Sequence, residues 1–251
     1  MAMTGDFELR PGLGDARSSS VRLGSMIYVQ IKEQLLEGAY AAGERLQVEA
    51  LKSQFQVSKQ PVMEALRRLS GEGLVDIIPQ VGCEVCRYSP QEVVDFFRFF
   101  AGMEGILAEV AADRRTEAQL QQLEQVESLI ADLRADADAD RRSHGYRVHN
   151  RQFHAIVHEM SRSTIMAATC ERMFDLSDFL INTTGTHTPL SDALDGRHAD
   201  HERIIAALRS HDGAAARREI ERHISGTVDI IRLEAGPSAV DKKPPNGARP
   251  A

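Results

Sequence analysis

The sequence predicts a mainly α-helical chain in two parts: a small domain of three helices and a β-hairpin, then a larger all-α antiparallel helical bundle. Three observations predict it. The run Val57–Leu74 (VSKQPVMEALRRLSGEGL) carries helix signals at both ends. Leu74–Ile78 is β-branched and bounded by Pro79, and Gly82–Cys86 follows the turn. From Pro90 to about Leu233 the chain shows long helical periodicity broken by short polar links.

In the first part, Ser25–Glu37 has apolar residues at Met26, Ile27, Val29, Ile31, Leu35 and Leu36, which predicts a packed helix ended by Gly38. Gly43-Glu44-Arg45-Leu46 is expected to turn into a second short helix, about Gln47–Phe55, and Gln56-Val57 forms a tight link. Ser58 is placed to cap the third helix by accepting a bond from an orphan backbone N–H. Pro61 falls in its first turn, where a missing donor costs little. Val62, Ala65, Leu66 and Leu69 form one apolar stripe, and Gly73 stops the helix. Lys59, Gln60, Met63, Arg67 and Arg68 are left to other faces. The second and third helices make a helix-turn-helix. Leu74–Ile78 and Gly82–Cys86 then form a hairpin with Pro79-Gln80-Val81-Gly82 at its tip, completing a winged helix. Such a domain places its third helix in a major groove and its wing tip near the backbone or minor groove.

The chain's 251 residues suffice for two modest domains. With no signal peptide and no apolar run near membrane-spanning length, a cytoplasmic location is expected. Three cysteines make a disulfide framework improbable, and Cys83 and Cys86, a lone CxxC in the wing, are expected to be small strand residues. The net charge of −7 is unevenly spread. Residues 21–88 hold eight basic against eight acidic side chains, so the small domain is neutral and the acidity lies elsewhere. A neutral domain makes DNA affinity per copy modest, so dimerisation would matter.

In the second part, helices are predicted near Pro90–Arg114, Glu117–Ala135, Arg141–Ser161, Thr164–Asn182, Leu190–His211 and Ala214–Leu233. The acidic run within Arg134–Asp140 is expected to be a solvated loop or frayed helix end. Residues 1–20 and 236–251 are expected to be disordered tails, leaving domains at 21–88 and 90–235. All nine histidines lie between His144 and His223. Asn150 and His154 stand four apart on one helix, with His201 and His223 on the last two helices. If these converge, three imidazoles and one oxygen would suit zinc or a similar transition metal. Spacing alone leaves open whether they are ligands or satisfied core residues.

The landmarks Gly43-Glu44-Arg45-Leu46, Val57-Ser58-Lys59-Gln60-Pro61-Val62-Met63-Glu64-Ala65-Leu66, Leu69, Glu72-Gly73-Leu74-Val75, Gly82 and Val85 make residues 21–88 resemble the GntR superfamily of bacterial transcription regulators. Asn150-Arg151-Gln152-Phe153-His154, His201 with Ile204-Ile205-Ala206, and Arg222-His223-Ile224 resemble the FCD effector domain of the FadR subfamily. The first resemblance implies DNA contacts from Lys59, Gln60 and Arg67 to bases, and from Lys52, Arg68 and the wing around Gln80 and Gly82 to the backbone. Ser58 and Met63 lie on the same surface. Lys59 and Met63 replace two arginines usual in the family, so a different or less stringent operator is expected. The second resemblance implies a divalent metal held by His154, His201 and His223, with Asn150 at a place usually held by Asp. Where many relatives carry an Arg four residues before Glu104, this chain has Phe100, with Arg98 nearby; both are candidate effector contacts. Phe96, Phe97, Phe99 and Phe100 could instead pack the bundle or a dimer face. Together these features imply a non-enzymatic, effector-responsive regulator that binds a near-palindromic DNA site as a homodimer. A metal-dependent hydrolase or a low-specificity DNA binder are the rivals.

Overall fold

The computed structural model describes residues 13–183, 188 and 190–239. These form two compact units, residues up to Gln34 with Gly43–Cys86, and Leu35–Ala42 with the chain from Arg87 onward. The first 12 and last 12 residues, within the predicted tails, lie outside the described residues.

The first unit contains α1 (Leu13–Leu36), β1 (Arg45–Leu46), α2 (Val48–Phe55), α3 (Lys59–Gly71), β2 (Val75–Ile78) and β3 (Gly82–Val85). The predicted stripe on α3 is its buried face: Val62, Ala65, Leu66 and Leu69 are fully enclosed, together with Ile27 and Ile31 of α1. The end of α3 also follows its sequence signal. Gly73 takes left-handed geometry with φ at 80°, and Leu74 N–H closes back on Leu69 C=O at 3.0 Å while Gly73 N–H reaches Ser70 C=O at 3.2 Å. That pair of bonds satisfies carbonyls the helix end would orphan.

Two expectations need correction. Ser58 occupies the N-cap with extended backbone but makes no side-chain cap bond, so its exposed hydroxyl is uncommitted to the helix. Gly43-Glu44-Arg45-Leu46 is more than a turn: Arg45 and Leu46 pair antiparallel with Glu84 and Cys83, giving a three-stranded sheet in the order β1-β3-β2. Two residues are too few to show strand alternation, and only Leu46, 4% exposed, records the pairing as burial.

The second unit holds α4 (Pro90–Arg114), α5 (Glu117–Leu133), α6 (Ala139–Met160), α7 (Thr164–Asn182), α8 (Leu194–Arg209) and α9 (Gly213–Ala239). Ser89 with Glu92 and Thr116 with Gln119 form reciprocal capping boxes at the starts of α4 and α5. The acidic run does more than fill a loop. Asp138 caps α6 by accepting from Asp140 and Arg141 N–H groups, and Asp136 pairs with Arg141. Helix α8 starts at Leu194, four residues later than predicted, without a side-chain cap. Helices α1 and α9 extend into segments predicted as tails, because polar runs without an apolar stripe give no periodic signal.

Helices α4 and α9 pack along each other through the small-residue stripe Ala101, Gly105, Ala108 and Ala112. A Cβ on Gly105 would fall 2.6 Å from Glu221 Cγ, so the close approach uses the missing side chain. Phe97 and Phe100 are enclosed in this core, and Phe100 meets Phe174 edge-on at 4.9 Å. Replacing Phe100 by Ala should therefore cost about 3–5 kcal/mol of stability in this unit. Urea unfolding followed by circular dichroism checks it; a small cost would mean that Phe100 is free to face a ligand instead.

Candidate metal centre and nucleic-acid interface

On the first unit, the surface of α3 away from the core gathers most of the predicted DNA residues. Ser58, Lys59, Gln60, Arg67 and Arg68 are exposed, and Met63 is half-buried. Arg68 is not a loose side chain: its guanidinium lies 3.8 Å above the Tyr28 ring and donates to Ser25 Oγ at 3.2 Å. Tyr28 O–H in turn donates to Glu72 at 2.6 Å, and Lys32 bridges to Glu72 at 2.8 Å, tying α1 to the end of α3. Lys52 is ion-paired with Glu49 one turn earlier, a pair that a phosphate would have to displace. At the wing tip, Val81 N–H closes a turn on Ile78 C=O at 3.1 Å. Gln80 and Gly82 there both take positive φ, 65° and 132°, and both are exposed.

The second unit brings His154, His201 and His223 together. One ring nitrogen from each lies within 4.8 Å of the others, and all three side chains are buried. They come from α6, α8 and α9. Each imidazole has a carboxylate on its Nδ1: Glu104 at 3.0 Å from His154, Glu127 at 2.5 Å from His201, and Asp200 at a longer 3.4 Å from His223. A carboxylate only accepts, so each Nδ1 carries the proton and each Nε2 keeps its lone pair.

Two of those lone pairs, on His154 and His201, meet no donor. His154 Nε2 is buried with no hydrogen-bond partner. His201 Nε2 instead faces Asn150 Oδ1 at 3.1 Å, while that oxygen already accepts from Tyr146 O–H at 3.2 Å. Two acceptors at this separation repel unless a proton or a metal ion lies between them, and neighbouring metal ligands take the second arrangement. Carboxylate-backed imidazoles are the usual outer shell of metal-binding histidines. The residues present therefore fit a divalent transition metal, with Asn150 contributing a neutral oxygen. Phe153 stacks on His201 at 4.1 Å and Phe174 tilts against His154 at 4.7 Å, packing apolar rings against the imidazoles.

Charge follows from this geometry. Burial pushes His154, His201 and His223 below the ordinary imidazole value, His223 furthest, with the Arg197 guanidinium adding to the effect of burial there. Burial alone would raise the Glu104 carboxyl, but hydrogen bonds from His154 and His158 outweigh it and hold it at about 2. Beside the imidazoles a cavity of about 30 Å³ is lined by Asn150, His223, Arg147, Ser143, Ser177 and Thr227, among others. It has room for water or a very small group.

Of the predicted effector contacts, neither lines this cavity. Arg98 is exposed, and Phe100 is in the core. Sequence reasoning missed Glu104 as a hydrogen-bond partner, Glu127, Asp200, Tyr146 and His158. Tyr146, Asn150, His154 and His158 recur every four residues, a signal that was present; the carboxylates sit on other helices, where no local spacing marks them.

Comparison with known proteins agrees with both halves. Residues 23–85 match the family described as bacterial regulatory proteins, gntR family, and residues 95–226 match the FCD domain. The HTH-type transcriptional repressor GlaR of Escherichia coli K12 is 26% identical over 82% of this chain and 94% of its own. The transcriptional repressor RspR of the same organism is 26% identical over 84% of this chain and 89% of its own. Among solved structures, E. coli McbR/YncC superposes with a TM-score of 0.69 at 20% identity, covering 83% of this chain and 96% of its own. A GntR-type protein of Rhodococcus sp. RHA1 gives 0.65 at 15% identity, covering 85% and 97%. At these identities the two structures bear on the fold alone.

Acid should destabilise the metal-free protein. For each buried imidazole the folded-state pKa is lowered, so the unfolded chain binds the proton first, and stability falls as pH drops below about 6.5. Each imidazole adds up to about 1.4 kcal/mol per pH unit until its own folded value is reached. Glu104, lowered to about 2, acts in the same direction further down, losing its contribution as pH falls from about 4.5. Urea midpoints of chelator-treated protein at about pH 7.5 and about pH 5.5 measure this; equal midpoints would show that the imidazoles bind protons alike in the folded and unfolded chains. Replacing Glu127 by Gln should weaken zinc binding by about 10–100-fold, read by competition with a chromophoric chelator.

Proposed function

The chain belongs to the GntR family of bacterial regulatory proteins, with a C-terminal FCD domain, and is a transcription regulator with a DNA-binding winged helix; on that premise we propose that it acts in the cytoplasm as a homodimer on a near-palindromic operator, and that a small organic acid bound at a divalent metal changes its DNA affinity. The observation that carries the effector part is the set of three buried imidazoles with carboxylate-fixed Nδ1 atoms, one with an unpartnered Nε2 (His154) and one lining a polar cavity (His223).

When bound, the metal supplies an electrophilic anchor with open coordination positions. His154, His201 and His223 would hold it, with Asn150 as the oxygen ligand. None of these four carries a negative charge, so the cation's charge is not neutralised by its ligands. An anionic ligand could complete its coordination, and the Ser143, Ser177 and Thr227 hydroxyls line the cavity with Arg147, whose guanidinium is shared with Glu37 and Asp178. The cavity is small, so an effector larger than a few atoms requires the helices around it to part. Such an effector biases the bundle between two arrangements, which is what a change in DNA affinity requires. Hydrolysis is disfavoured because Glu104, Glu127 and Asp200 are all engaged on Nδ1 atoms and none is free to act as a base.

On DNA, Lys59, Gln60 and Arg67 are exposed on one helix and suit base edges, with Met63 able to make apolar contact only. Arg68, held over Tyr28, offers phosphate a guanidinium already in position, and Ser58, Lys52, Gln80 and Gly82 suit the backbone. Dimerisation is supported by Phe99 and Ile106, exposed large apolar residues two turns apart on α4 with the open Gly102 between them. Two relatives are named as repressors, and we adopt repression as the direction of control.

Sequencing genomic fragments retained by the purified protein should reveal a short inverted repeat. Retention without a shared motif would overturn operator recognition in favour of low-specificity binding. On the enriched site, Arg67→Ala should cost about 1–3 kcal/mol and relax one base position, measured by fluorescence anisotropy. Asn150→Asp should tighten zinc by roughly tenfold, about 1.4 kcal/mol, while weakening citrate at the loaded centre. Calorimetry checks both, and an unchanged zinc affinity counts against Asn150 as a ligand.

A further inference from the structure

A second group of metal-binding atoms is buried in the helical bundle, on the far side of Glu104 from the three imidazoles. Glu104 of α4, His158 of α6 and Cys170 of α7 each place one ligand atom within 4.8 Å of the other two. They are 1%, 6% and 2% exposed. Glu104 divides its two oxygens: Oε2 accepts from His154 Nδ1 at 3.0 Å, and Oε1 accepts from His158 Nε2 at 2.8 Å. The Cys170 thiol also bonds to this carboxylate. The Glu104 side chain has no exposed surface, and among the described residues its ion-pair partners are these two imidazoles, with no Lys or Arg. A carboxylate so enclosed has hydrogen bonds but no cation of the protein's own.

We propose that Glu104, His158 and Cys170 form a second metal site that takes a borderline divalent ion of the zinc or cobalt(II) type. One sulfur, one imidazole nitrogen and one carboxylate oxygen are donors for such ions, whereas magnesium and calcium prefer oxygen alone. Three protein ligands leave a fourth tetrahedral position for water. The ligands stand on three separate helices whose side chains are packed, and Phe174 lies against the His158 ring at 5.7 Å. Loading replaces the His158–Glu104 hydrogen bond by two coordination bonds. The imidazole then carries its proton on Nδ1, and the thiol proton leaves to solvent. Because Glu104 also orients His154, an ion on Oε1 draws charge from Oε2 and so couples this site to the three-imidazole centre.

Cobalt(II) is the probe that separates the two sites, because only this one contains sulfur. Full-length protein stripped with chelator should bind about two equivalents per chain, one of them with a near-ultraviolet thiolate-to-cobalt charge-transfer band. Cys170→Ser should abolish the band and one equivalent. His223→Ala should lose an equivalent and keep the band. A band with a single equivalent in the wild-type protein would support this site and count against the imidazole centre. Absence of the band in the wild-type protein overturns the proposal, leaving His158 and Cys170 as hydrogen-bond partners that orient Glu104. A band that survives Cys170→Ser also overturns it, since the sulfur would then belong to Cys83 or Cys86.

Discussion

Imidazoles enclosed in an apolar bundle must settle where their protons sit, and the answer governs everything built around them. In this bundle a carboxylate on each Nδ1 fixes the tautomer, turns the ring, and leaves the lone pair on Nε2. That choice has structural costs. Glu104 and Glu127 are themselves buried, so each needs a second partner, and both find one in a further histidine, His158 and His198. Helix α4 carries Glu104 among small residues and phenylalanines, α5 carries Glu127, and α8 carries both His201 and Asp200. The order of helices in the bundle is thus bound up with the pairing of acids to bases.

The DNA-facing unit rests on a different kind of constraint. Its core is an unbroken apolar stripe, and its polar side is small and neutral overall. What holds the polar side in register is the stack of Arg68 on Tyr28 and the shared carboxylate of Glu72. A guanidinium over an aromatic face keeps its charge available to solvent while losing much of its freedom. This orders one cation without neutralising it, a useful property where the domain has no surplus of positive charge.

Much of this was legible in the sequence, and the limits are physical. The bounds of α3, α4, α6 and α7 followed from caps and from apolar periodicity, both local properties. Asn150, His154, His201 and His223 could be named from spacing and resemblance, and they do converge. What local pattern could not give was the partner of each imidazole, since Glu104, Glu127 and Asp200 meet the histidines only through the packing of different helices. Strand β1 was invisible for the same reason: two residues acquire strand geometry from β3, not from their own alternation. The aromatic cluster around Phe100 was legible as packing in the bundle or at a dimer face, but not which rings go inward, because Phe96, Phe97, Phe99 and Phe100 point around the whole helix. The missing Ser58 cap bond shows the reverse case, a sound local signal whose bond the fold does not form.

The four polar rungs of α6, Tyr146, Asn150, His154 and His158, are spaced four apart, slightly wider than the roughly 3.6-residue turn would keep in line. Each step of four residues advances about 40° around the axis, so the set winds through roughly 120° from first to last. The ladder is therefore a shallow spiral: Asn150 looks to His201 on α8, while His154 and His158 share Glu104 on α4 and Phe174 on α7. A small screw-like turn of this one helix would shift all four contacts together and in unequal amounts. Helix α6 is in that sense a camshaft, and whatever rests on any of its rungs is mechanically joined to the rest.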